Sequence, residues 1–279
     1  MPSIRQVLRA PAVAIAACLV AVALTSVASS SAAATNGLSQ SKPTIVLVHG
    51  AWADGSSWAA VTAKLQRDGF TVTVVPNPLR GVASDAQYLK DYLATVAGPV
   101  VLVGHSYGGM VITAAATDDP DVQALVYVNA YIPAERETVE QLTGAQPGSE
   151  LDPNTSINVV PLHDAGGNVV NADLYIKPAL FGRLFAGSLP AKTTAVLAAG
   201  QRPLAFSALG EAFAGIPAWK TIPSWAFIGA ADRVLPPAQQ QIMATRANAH
   251  VVKVNAPHLS MVTNSDGVAG LIATAARAS

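Results

Sequence analysis

Three side chains far apart in the sequence have the types that acyl transfer requires. Ser106 lies in Gly104-His105-Ser106-Tyr107-Gly108, a G-x-S-x-G motif directly after the apolar run Val100 to Val103 and before the apolar stretch Met110 to Ala116. That setting, strand then sharp turn then helix, lifts a serine Oγ above a sheet and places a helix N-terminus beneath developing negative charge. A serine hydroxyl is a weak nucleophile and needs a base that is itself held by an acid. Downstream, Asp232 follows the apolar run Ser224 to Ile228, and His258 follows His250 to Val254 in Ala256-Pro257-His258-Leu259. Both fall just past predicted strand ends, in the order serine, acid, histidine. The assignment is therefore Ser106 as nucleophile, His258 as base and Asp232 as the group that orients the imidazole.

Acyl transfer also needs two N–H donors aimed at an oxyanion. The residue after the nucleophile, Tyr107, supplies one. The second comes from His49-Gly50-Ala51-Trp52, at the exit of the first apolar run, and Ala51 is the donor chosen. Gly50 allows that backbone a close approach. Competing groups fit less well. The end of the fourth run is Asn129 and not an acid, and His163-Asp164 sits in a Gly/Asn-rich stretch that reads as solvent-exposed. No metal-ligand cluster and no phosphate-binding glycine loop occurs, so neither a metal nor a cofactor is expected.

These groups demand elements that bring them together. Thr44–Val48, Thr71–Val75, Val100–Val103, Val122–Val128, Ser224–Ile228 and His250–Val254 read as six strands, the first a buried parallel one. Helical patterns separate them: one with Trp58, Val61 and Leu65 on a face, one opened by a Ser84/Gln87 capping box, one opened by Pro236-Pro237, and a last carrying Val268, Leu271 and Ile272. Strands alternating with helices predict an α/β fold with a mostly parallel sheet covered on both faces. Sites in such sheets form at the carboxyl ends of the strands. The interval from Asn129 to Thr221 is too long for a crossover, so a cap insertion over about 131–218 is expected within one domain, 35–279.

The 279-residue chain is 51% hydrophobic with 17 basic and 17 acidic residues. That balance excludes a strongly basic nucleic-acid binder. Part of the apolar content is a leader: residues 1–34 carry Arg5 and Arg9, an apolar run and Ala32-Ala33-Ala34, which together read as a secretory signal peptide. An uncleaved anchor and lipidation at Cys18 are the competing readings. Cleavage after Ala34 leaves 245 residues with 15 basic and 17 acidic side chains and no cysteine. Such a secreted chain has no disulfide and no thiolate, and its core must hold it. No stable membrane anchor is expected after cleavage.

The anchors Val48-His49-Gly50-Ala51-Trp52, Gly104 to Gly109, Asp232-Arg233-Val234 and His258 to Val262 make the chain resemble the α/β-hydrolase superfamily over residues 43–277. Within it the chain is similar to the small esterases that include plant methyl-ester esterases, hydroxynitrile lyases and bacterial pyrethroid-type carboxylesterases. The resemblance implies Ser106, Asp232 and His258 as a triad, with the Ala51 and Tyr107 amides as oxyanion hole. Relatives that are dehalogenases or epoxide hydrolases carry Asp where Ser106 stands. Hydroxynitrile lyases carry Thr and Lys where Gly50 and Leu259 stand. Both chemistries are disfavoured here. The expectation is a secreted serine hydrolase acting on small-molecule carboxylic esters of small or medium apolar groups. Trp52, Phe181, Phe185 and Phe206 are the candidate pocket residues, with the cap as roof. The same triad used for lactone, carbon–carbon or acyl-transfer chemistry, or a binding protein on a hydrolase scaffold, are the alternatives.

Overall fold

In a computed structural model, residues 42–187 and 189–279 are described; the expected signal peptide lies outside them. The chain opens with strand β1 (Thr44–Val48), helix α1 (Ala59–Arg67), β2 (Val72–Val75), α2 (Val82–Leu93), β3 (Val100–His105), α3 (Gly108–Ala115) and β4 (Val122–Val128). A long excursion follows, with α4 (Val139–Gly144), β5 (Ile157–His163), β6 (Val169–Ile176), α5 (Ala191–Ala199) and β7 (Leu204–Ala205). The chain then resumes with β8 (Ser224–Gly229), α6 (Pro237–Arg246), β9 (His250–Val254) and α7 (Ser265–Ala278).

Six strands pair in the order β2-β1-β3-β4-β8-β9, every neighbour parallel. The reason is in the composition. All six residues of β3 and all six of β8 are buried, so neither strand can offer a polar face to water. The connection from β1 steps outward to β2, and those from β2 and β3 step the other way. Right-handed crossovers then put α1 on one face and α2 and α3 on the other. α1 packs against α7, and α2 against α3. The register fixes where the strands end: Val48 pairs with Gly104, His105 with Val128, and Val128 with Phe227. The segments after β1, β3, β4, β8 and β9 therefore leave the sheet at one edge.

Two differences from the expected elements have physical causes. The Ser84/Gln87 capping box is absent, because α2 starts earlier, after Gly81. Its N-terminal amides are satisfied from a distance: the Glu211 carboxylate accepts from Val82 N at 2.7 Å and from Ala83 N at 2.8 Å. The excursion also contains more than helices. β5, β6 and β7 form a separate antiparallel sheet, with Val159 opposite Leu174 and Leu174 opposite Leu204. Asp164 closes the hairpin by accepting from the backbone N–H groups of Gly166 and Asn168, each at 2.9 Å. Among the described residues no helix is long and apolar enough to cross a membrane.

Candidate active site

Ser106 occupies the turn between β3 and α3 with φ +51°. A non-glycine residue holds that left-handed conformation only where its surroundings enforce it. The neighbouring glycines do so by allowing contacts that a side chain would forbid. A Cβ on Gly104 would lie 2.7 Å from Gly108 O, and one on Gly108 would lie 2.9 Å from Val48 O. Strand and helix therefore meet backbone to backbone, and the serine is lifted off the sheet edge. Gly50 closes the other side, where an added Cβ would sit 2.6 Å from Ser106 Cβ.

The three candidate side chains meet although they lie 26 to 152 residues apart. His258 Nε2 is 2.8 Å from Ser106 Oγ, and His258 Nδ1 is 2.7 Å from Asp232 Oδ2. A carboxylate oxygen only accepts, so Nδ1 carries the proton and Nε2 faces the hydroxyl as acceptor. Asp232 is held from several directions. Its Oδ1 accepts from Val234 N at 2.8 Å and Leu235 N at 3.0 Å, which folds its own loop around it. Its Oδ2 also accepts from Asn129 Nδ2 at 3.0 Å and Gln240 Nε2 at 2.8 Å. A buried carboxylate needs such donors. Asn129 stands at the end of β4, where sequence reasoning looked for an acid; it is instead a support for the acid after β8. Gln240, on α6, carries no comparable signal in the sequence.

The amides of Ala51 and Tyr107 flank Ser106 from the β1 and β3 turns, and neither N–H donates to a protein acceptor among the described residues. The adjoining Trp52 is fastened to the cap: its backbone N–H donates to Arg202 O at 2.9 Å and its indole Nε1–H to Leu174 O at 2.8 Å. Two further histidines stand close by and are held neutral. Burial is the main cause that depresses the imidazoles of His105 and His49. For His105 the adjacent His258 adds to the effect. His105 Nε2–H donates to His258 O at 3.0 Å, and His49 Nε2 accepts from Asn77 N at 3.0 Å. Both brace the loops that carry the candidate site residues.

A cavity of about 570 Å³ opens over Ser106, Ala51 and Tyr107. Its walls come from the excursion after β4, chiefly Tyr131, Ile157, Leu174, Leu204 and Phe206. Trp52 and Phe206 thus line the cavity. Phe181 and Phe185 do not: both are wholly buried, and the Phe185 ring packs 4.9 Å from that of His258 and 5.1 Å from that of Phe181. They form a wall behind the imidazole, further fixed by Leu259 N donating to Phe185 O at 3.1 Å. The β5–β6 contribution to the cavity lies outside the expected elements, although two β-branched runs flanking Asp164 to Asn168, with its Gly-Gly-Asn, are a hairpin signal.

Known proteins share sequence and fold with this chain. The chain is 34% identical over 112 residues to a carbendazim hydrolyzing esterase of Nocardioides sp. (strain SG-4G), a match covering 35% of this chain and 46% of that protein. The chain spans about half the length of the relatives it matches in this way. Over nearly the whole length, it is similar to the structure of polyneuridine aldehyde esterase, with a TM-score of 0.71, 18% identity, and 84% and 98% of the two chains covered. A pyrethroid hydrolase from Sphingobium faniae JZ-2 superposes with a TM-score of 0.65 at 25% identity, covering 85% of this chain and 98% of that one. Residues 45–271 match the profile of the alpha/beta hydrolase family, and the chain belongs to that family.

Proposed function

We propose that this chain is a secreted serine hydrolase that cleaves carboxylic esters carrying a small or medium apolar group, through an acyl-enzyme on Ser106. The observation that carries the reading is the relay from Asp232 through His258 to Ser106, with links of 2.7 and 2.8 Å, ending at an apolar cavity. The names of the relatives, an esterase and a pyrethroid hydrolase, support an ester as substrate.

In this mechanism Ser106 Oγ attacks the ester carbonyl while His258 Nε2 takes the hydroxyl proton. Asp232 stabilises the imidazolium that forms. The carbonyl oxygen becomes an oxyanion and accepts from the Ala51 and Tyr107 N–H groups, donors worth about 3–4 kcal/mol each in comparable sites. Collapse expels the alcohol, which receives its proton from His258. Water then gives a proton to His258 and attacks the acyl-enzyme, and the acid leaves as Ser106 regains its hydrogen.

The decisive measurement is turnover of p-nitrophenyl esters of graded acyl length by the wild type and by Ser106→Ala. Loss of turnover in the variant with little change in Tm is expected; undiminished turnover overturns the reading. Export is tested by the mass of protein recovered from the culture medium. A chain beginning at Thr35 is expected, and a full-length chain retained in the membrane fraction overturns that part.

A further inference from the structure

The proposed mechanism leaves one buried pair unused. Asp85, in the first turn of α2, is 1% exposed, and the Tyr107 side chain is equally buried. The Tyr107 hydroxyl donates to Asp85 Oδ2 at 2.9 Å. The same carboxylate accepts from Arg80 N with both oxygens at 3.1 Å and, at 3.4 Å, from Gly81 N and Ser84 Oγ. Packing does not require this arrangement. A phenylalanine would fill the volume of the ring, whereas a buried phenol and a buried carboxylate each demand partners. Burial and the neighbouring carboxylate push the phenol far above its ordinary range, so it remains a protonated donor.

The position of Tyr107 gives the pair a purpose. Its backbone N–H is an oxyanion donor in the mechanism above. It is the residue before α3, and its carbonyl already accepts from Met110 N at 3.0 Å. Tyr107 itself lines the cavity over Ser106. The Ser106–Tyr107 peptide is held at its carbonyl, which accepts from Gly109 N at 2.9 Å and Tyr131 N at 3.2 Å, and the Tyr107 side chain supplies a further anchor on the N–H side of that peptide. The anchor here is a charged acceptor on a different helix, and charge-assisted bonds are the stronger kind.

We propose that Asp85 is a positioning residue for the reaction: through the Tyr107 hydroxyl it holds the Tyr107 N–H in the direction that the oxyanion requires. The inference rests on the serine-hydrolase reading. It goes beyond it in assigning a function to a carboxylate that contacts neither substrate nor triad.

The test compares wild type, Tyr107→Phe, Asp85→Asn and the double variant, well below their Tm values. Three quantities are read: kcat and KM for p-nitrophenyl acetate, and inhibition by a trifluoromethyl ketone, which Ser106 attacks to give a tetrahedral adduct whose oxygen occupies the oxyanion position. Each single variant is expected to lose about tenfold in kcat with KM within about twofold, because a misdirected donor weakens transition-state stabilisation more than substrate binding. Affinity for the ketone weakens by a similar factor. The double variant loses no more than the worse single one, as for two halves of one interaction. Tyr107→Phe removes only one oxygen and preserves the packing, so it answers the question even where Asp85→Asn folds poorly. Wild-type kcat and ketone affinity in Tyr107→Phe overturn the inference, whatever happens to Tm. Ser106→Ala run alongside separates the two levels. If it keeps turning over, the hydrolase reading fails. If it is dead while Tyr107→Phe is fully active, only the role of Asp85 falls.

Discussion

Gly50 performs no chemistry, yet the site depends on what it lacks. A Cβ there would lie 2.6 Å from Ser106 Cβ and 2.7 Å from His105 O, distances that real Cβ atoms do not reach. One neighbour is the proposed nucleophile and the other is the last residue of β3, so neither can yield without moving the turn. Gly50→Ala therefore displaces Ser106 relative to His258 and shifts the Ala51 amide with it. We expect kcat to fall by about a hundredfold, the penalty associated with misplacing reacting groups by about 1 Å. Ester turnover by the purified variant checks this; activity within twofold of wild type would show that the turn has slack which the packing does not suggest.

At the scale of elements, the loop before α2 is a second place, besides Trp52, where the excursion after β4 is fastened to the sheet side. Arg80 Nη1 pairs with Asp173 of β6 at 2.6 Å, Arg80 Nη2 donates to Pro203 O at 3.1 Å, and Ala205 N donates to Leu79 O at 2.9 Å. Glu211 then covers the first amides of α2, where a carboxylate also suits the helix dipole. Removing it leaves those N–H groups to water, so Glu211→Ala should cost about 1 kcal/mol and lower Tm by about 2–4 °C. Calorimetry decides it, and an unchanged Tm would mean that the helix end is satisfied in another way. This cap was invisible to local reading. Ser84 and Gln87 have the spacing of a capping box, but the acceptor that matters arrives from more than 120 residues downstream. The six strands and the meeting of Ser106, Asp232 and His258 were legible for the opposite reason: a strand of a parallel sheet is rich in apolar and β-branched residues, even at the exposed β9 edge, and the three candidate side chains sit just past strand ends. Asn129, Gln240 and Asp85 were not, because their importance lies in which buried atom they touch.

For the molecule as a whole, the parallel sheet gathers several titratable groups at one buried edge, and pH must act on them together. Burial holds the imidazoles of His105 and His49 below their ordinary 6.5 in the folded chain. Around and below that pH the unfolded chain takes up protons that the folded chain refuses. The stability associated with these neutral histidines is thus complete above about pH 6.5 and is lost progressively as pH falls beneath it. Asp85 acts in the opposite sense. Burial raises its carboxyl, so the folded chain takes up that proton more readily than the unfolded one. That gain partly offsets the histidine loss, which comes from two groups against one. Tm should therefore decline between pH 7.5 and 5, most steeply below about 6.5. His105→Gln separates the cause from a general charge effect, since a Gln Nε2 can still donate to His258 O in place of the imidazole. With one proton-refusing group removed, the variant's Tm should fall less over the same interval than that of wild type. A wild-type Tm that stays level from pH 7.5 to 5 would mean that the folded chain accommodates these protons without opening, and that the two histidines are not what limits it in acid.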